Sequence, residues 1–84
     1  MNKLSENLTN LILENNMTQS DVAKIIGVKQ NSISRWANGE REPSLDTLIK
    51  LSVIFNVSLN ELLGLDDSLI KEIKNELNLI TPNY

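Results

Sequence analysis

Residues 18–39 read TQSDVAKIIGVKQNSISRWANG, and this stretch decides the fold. Thr18 opens it with a hydroxyl that can accept from nearby N–H groups, and Asp21, three residues on, makes a capping-box variant whose charge suits a helix N-terminus. Val22, Ile25 and Ile26 then supply an apolar helix face. Gly27 takes a left-handed conformation without steric cost, and Val28 turns back toward the core. A second helix runs from about Lys29 to Asn38. In it Ile33 and Trp36 point inward, leaving Gln30, Asn31, Ser34, Arg35 and Ala37 on other faces. Asn38-Gly39 ends the pattern. The stretch is two short helices joined by a tight turn.

The flanking segments have the periodicity of a scaffold for that pair. Upstream, Leu4, Leu8, Leu11 and Ile12 fall at i, i+4, i+7 and i+8, an amphipathic helix with Asn2 as N-cap and Asn15-Asn16 as its end. Downstream, the loop Glu40–Pro43 leads to Ser44, which caps a helix over Leu45–Phe55. Leu45, Leu48, Ile49, Leu51, Ser52 and Phe55 predict a broad buried face for it. Ser58 and Glu61 form a capping box for a further helix carrying Leu59, Leu62 and Leu63, which Gly64 stops.

The tail starts with Leu65-Asp66-Asp67-Ser68, acceptors and negative charge placed for a helix start. Ile70, Ile73, Leu77 and Ile80 then recur at spacings of three, four and three, a short heptad-like stripe between polar positions. Pro82 closes it. The pattern therefore predicts an all-α chain of two parts, residues 1–64 and 65–84.

Composition narrows the chemistry. Eighty-four residues make one modest core, and with 40% hydrophobic but only 4% aromatic residues that core is built from Leu, Ile and Val. There is no Cys and no His, which argues against disulfides, zinc sites and imidazole catalysis and favours a binding protein over an enzyme. No segment has the apolar length of a signal peptide or membrane span, so the expected location is cytoplasmic. A net charge of −3 argues against nucleic acid at face value. Distribution reverses the inference. From Val22 to Gly39 the charged residues are Lys24, Lys29 and Arg35, with no Asp or Glu, so the two-helix stretch is a local basic region on an acidic body.

From Leu4 to Gly64, about three quarters of the chain, the sequence resembles the Cro and phage-repressor type of helix-turn-helix domain, the XRE family. The segments that carry the resemblance are TQSDVAKIIGV, ISRWANGEREPS and LIKLSVIFNVSLNELLG, in that order. It implies a compact five-helix lambda-repressor-like domain, its helix-turn-helix formed by the second and third helices, with the tail as an added C-terminal amphipathic helix. It also implies a sequence-specific, double-stranded DNA-binding transcriptional regulator, repressor or controller. By that likeness Gln19 braces the phosphate backbone, and Gln30, Asn31, Ser34 and Arg35 read bases in the major groove. The chemistry agrees, because Gln and Asn amides pair bidentately with adenine and Arg with guanine. Lys29, Asn38 and Arg41 fit phosphate contacts. Two positions depart from the family pattern. Lys29 stands where a Ser or Thr cap is usual, and Arg41 is flanked by Glu40 and Glu42.

Each reading has a plainer one beside it. The polar positions could be a solvated helix face, and Trp36 reads as core rather than as a base-stacking group. The tail stripe of Ile70, Ile73, Leu77 and Ile80 can pack on its own domain or pair with the same helix of a second subunit. The homodimer is the favoured expectation, because dimers of this class bind palindromic half-sites about 34–36 Å apart and one small domain rarely supplies enough affinity alone. The competing function is an antitoxin-like interaction module whose tail helix binds a partner protein. No cofactor, metal or small-molecule ligand is expected.

Overall fold

The computed structural model describes residues 3–78, which hold six helices and no strand: α1 (Leu4–Glu14), α2 (Gln19–Ile26), α3 (Gln30–Ala37), α4 (Leu45–Phe55), α5 (Leu59–Leu63) and α6 (Asp67–Glu76). Local hydrogen bonds set most of the starts. Thr18 Oγ1 accepts the Asp21 N–H at 3.1 Å and the Asp21 carboxylate accepts the Thr18 N–H at 2.8 Å, a closed capping box. Ser44, Ser58 and Asp66 cap α4, α5 and α6 by accepting the N–H of Thr47, Glu61 and Leu69. α1 differs from expectation: its cap is Lys3, with no side-chain bond, and Asn2 lies outside the described residues. The ends of α1, α2, α4 and α5 turn through left-handed Asn16, Gly27, Asn56 and Gly64, residue types that tolerate positive φ.

One core joins the first five helices. Leu4, Leu8 and Ile12 from α1 meet Val22 and Ala23 of α2, Ile33 of α3, Leu51 and Phe55 of α4, and Leu62 of α5. Each large side chain fully buried here contributes about 1.5–3 kcal/mol of transfer free energy. α1 is also tied to α5 by polar bonds. The Asn7 amide donates to the Glu61 and Leu62 carbonyls, both at 3.1 Å, and the Lys3 N–H donates to the Leu63 carbonyl at 3.0 Å. Those bonds satisfy carbonyls that a helix end leaves orphaned. Gly64 is required twice over, since its φ is 67° and a Cβ there would sit 2.9 Å from Lys3 Cβ.

The apolar faces are where expectation and structure part. Ile25 is 60% exposed, so the buried side of α2 is Val22 and Ala23 with Ile26 half-buried. On α4 only Leu51 and Phe55 are buried, with Leu48 and Ser52 half-buried; Leu45 is 65% exposed and Ile49 is exposed as well. α4 packs against α2 and α5, with Leu45, Ile49 and Val53 left exposed. On α6 the buried residue is Leu69, which sits outside the main core cluster, and not one of the heptad-like stripe.

The chain is longer than its size requires. Its extents are 49 × 23 × 20 Å and its radius of gyration is 14.7 Å, against about 12 Å for a compact domain of this length. α6 is absent from the extensive helix–helix packing, and Leu69 is its one buried residue.

Candidate nucleic-acid interface

The turn between α2 and α3 is closed by the backbone. Gly27 and Val28 both donate to the Ala23 carbonyl, at 2.8 and 3.0 Å, so only three residues separate the two helices and α2 packs chiefly on α3. With Gly27 at φ 86° and nothing within 4 Å of a Cβ built there, the glycine answers to backbone conformation and not to space. Ile33 is buried and Trp36 and Ala37 pack half-buried against the core, which fixes the rotation of α3.

That rotation decides what α3 presents. At about 100° per residue, Gln30, Ser34, Asn31 and Arg35 follow one another around roughly 140° of the helix, opposite Ile33 and Trp36. Gln30, Asn31 and Arg35 are exposed and Ser34 is half-buried. Lys29 is the α3 N-cap, extended, exposed and without a side-chain cap bond, so no acceptor of its own covers the first turn. Asn38 is the exposed C-cap. The Arg35 carbonyl accepts the N–H of Glu40 at 2.9 Å and of Arg41 at 3.4 Å, which folds the start of the following loop over the end of α3 and keeps exposed Arg41 beside it. Gln19, half-buried, is the first residue of α2.

The electrostatics of this face are simple. Lys29 and Arg35 stand on it, and the helix pair carries no carboxylate from Val22 to Gly39. The adjacent Asp21 is occupied by the cap: its hydrogen bonds with the Thr18 backbone and side chain, with help from the Lys24 charge, hold its carboxyl below the usual 3.8. What remains outward is two primary amides, a hydroxyl and a guanidinium. Each amide offers a donor beside an acceptor and the guanidinium a planar fork, the groups that pair with base edges. Among the described residues no group of three or more Asp, Glu, His or Cys could hold a metal, and no helix is long and apolar enough to cross a membrane.

On α6, Ile70 and Leu77 are exposed, Leu77 at 63%, Ile73 is half-buried, and Ile80 lies outside the described residues. Of the described stripe residues, Ile70 and Leu77 are thus open and Ile73 is partly covered. Sequence reading missed Leu69 as the anchor of α6 and Val53 as an exposed apolar residue of α4. The spacing Leu45, Ile49, Val53, four and four, was the available signal for the latter.

Comparison with known proteins places this geometry. A family model described as helix-turn-helix matches residues 8–62. The chain is 38% identical over 63 residues to the HTH-type transcriptional regulator ImmR of Bacillus subtilis, covering 75% of this chain and 47% of that protein. It is 32% identical over 66 residues to the antitoxin PezA of Streptococcus pneumoniae, covering 79% of this chain and 42% of that one. The chain thus spans less than half the length of these curated relatives. A crystal structure of a transcriptional regulator from Listeria innocua superposes with a TM-score of 0.73 at 27% identity, covering 96% of this chain and 80% of that one.

Proposed function

Because the chain belongs to the helix-turn-helix family of the Cro and phage-repressor type, we propose that it is a sequence-specific regulator of transcription that binds an inverted-repeat operator as a homodimer. The observation that carries this reading is the single exposed arc of α3 with Gln30, Asn31, Ser34 and Arg35 on it and no carboxylate among them. α3 enters the major groove by its N-terminal half. Gln30 and Asn31 take adenine edges, Arg35 takes guanine, and Ser34 pairs with a neighbouring edge. Gln19, Lys29, Asn38 and Arg41 hold phosphates on either side and set register. A phosphate beside the uncapped first turn of α3 offsets the cost of Lys29 at the positive end of the helix dipole.

Residues 1–64 are the DNA-binding unit and residues 65–84 the dimer element, with exposed Ile70 and Leu77 and half-buried Ile73 in the contact between two copies. The acidic body lowers non-specific affinity and leaves discrimination to α3. Occupancy of an operator that overlaps a promoter excludes polymerase, the simplest route to repression in the cytoplasm. Footprinting and gel shift across the DNA upstream of the chain's own gene test this. A protected inverted repeat whose occupancy falls steeply with salt is the expected result, and no protected site across that region would sink the proposal.

The likeness to an antitoxin favours one second reading, in which the α6 stripe holds a different protein. A stable heteromeric complex that is lost on removing residues 66–84, from a protein that sediments as a monomer by itself, would put that reading first.

A further inference from the structure

The outer side of α4 carries an apolar ridge that neither the fold nor DNA recognition uses. Leu45, Ile49 and Val53 lie four residues apart along one face, all exposed, with Val53 at 73%. A helix side meant for water is normally polar, and one apolar all round is normally covered. Exposed Ile25 of α2 borders the ridge, and between the two helices runs a groove of about 370 Å³ lined by Ile25, Ile26, Ile49, Val53 and Ile54, with Lys50 on its edge.

We infer that this α2–α4 groove receives α6 of a second copy of the chain, so that two protomers exchange these helices. The inference rests on the homodimer reading and specifies its geometry. Three observations converge on the second copy as occupant. First, area: a stable interface needs about 800 Å² per partner, more than the open side chains of one ten-residue α6 meeting another supply. Reciprocal exchange buries two stripes and two grooves at once. Second, coverage: of the seven large apolar side chains exposed among the described residues, four lie on α2 and α4 and two, Ile70 and Leu77, on α6 and its C-cap, and exchange brings the groove residues Ile25, Ile49 and Val53 under cover together with Ile70 and Leu77, where α6–α6 pairing covers only the last two. Third, packing and charge: α6 is absent from the extensive helix–helix contacts of the body, and Glu76 lies on the Ile73 flank of its stripe, a carboxylate to set against Lys50 at the groove edge, with Lys74 on the opposite flank. The exchange is isologous, so it closes at two copies and leaves no free groove to propagate a fibre. It also leaves DNA recognition open, since Ile25 sits six residues on from Gln19, about 120° around α2.

The chain has no cysteine, so single-cysteine variants report the contact directly. Val53→Cys and Ile73→Cys chains, one enlarged by a tag, are mixed, allowed to exchange and treated with a short bismaleimide, while wild-type protein is sedimented in parallel. The expected result is a dimer by sedimentation, a strong Val53–Ile73 cross-link in the mixture, and at least tenfold less product from either variant alone. Val53→Glu should then shift sedimentation to monomer with α6 untouched. A dimer in which Ile73→Cys or Val53→Cys links chiefly to itself, or in which the mixture gives no link, overturns the exchange and leaves the homodimer standing. A wild-type monomer at the concentrations that occupy the operator overturns both.

Discussion

α3 and α4 are neighbouring helices with opposite outer faces. Both put apolar residues into the same core, Ile33 from one and Leu51 and Phe55 from the other. Outward, α3 shows Gln30, Asn31, Ser34 and Arg35, whereas α4 shows Leu45, Ile49 and Val53. The inner faces make one molecule of the helices; the outer faces set what each can meet. Amides and a guanidinium retain their hydrogen-bonding value against a polar, hydrated base edge, while an aliphatic ridge gains only by leaving water, which means another apolar surface. One helix is suited to nucleic acid and the other to protein, although they are built on the same frame.

The contrast between inner and outer faces is open to direct attack. The largest effect is expected from Ile33→Ala, which should lower the free energy of unfolding by about 2–5 kcal/mol in a urea titration. Gln30→Ala on the same helix should stay within about 0.5 kcal/mol of wild type. An Ile33→Ala midpoint indistinguishable from wild type would mean that α3 is not seated by its inner face.

On operator DNA the ranking should invert. Gln30→Ala or Asn31→Ala should cost about 1–3 kcal/mol on the preferred site and relax the preference at one base pair. Gln19→Ala should weaken operator and scrambled duplex alike. Fluorescence anisotropy on both duplexes separates the two patterns, and a uniform loss from Asn31→Ala would move that residue from the base-reading group to the phosphate group.

The smallest effects concern the cap that holds α2 beneath α3. Thr18→Ala should remove about 1 kcal/mol of stability. The partner Asp21 has its carboxyl held below 3.8 in the folded chain, so its contribution is complete above that ordinary value and is lost as pH falls through the lower folded one. The stability gap between wild type and Asp21→Asn should accordingly be constant near neutrality and shrink in acid. A gap that widened in acid would place the carboxyl's role elsewhere.

Much of this was legible in the residues themselves because it depends on interactions within one turn of chain. Thr18 with Asp21, Ser44, Ser58 and Asp66 announce four helix starts, and Gly27 and Gly64 two stops, through hydrogen bonds and φ preferences that no distant element alters. The polar arc of α3 was legible for the same reason, since only Ile33 and Trp36 could serve as its inward side. α4 was not. Leu45, Leu48, Ile49, Leu51, Val53, Ile54 and Phe55 leave few polar positions to mark an outside, so periodicity alone gave that helix no preferred rotation.

By itself, then, the chain's sequence determined six helices, the caps of α2, α4, α5 and α6, the tight turn at Gly27 and the identity of the groups on α3, all consequences of local chemistry. Tertiary structure alone decided which of the surplus apolar residues go inside. The core has room for Leu51 and Phe55 but not for Leu45, Ile49 and Val53 as well, and α6 is held by Leu69 with Ile70 and Leu77 left in water. Packing is a competition for a limited interior, and a residue's own hydrophobicity does not say whether it wins.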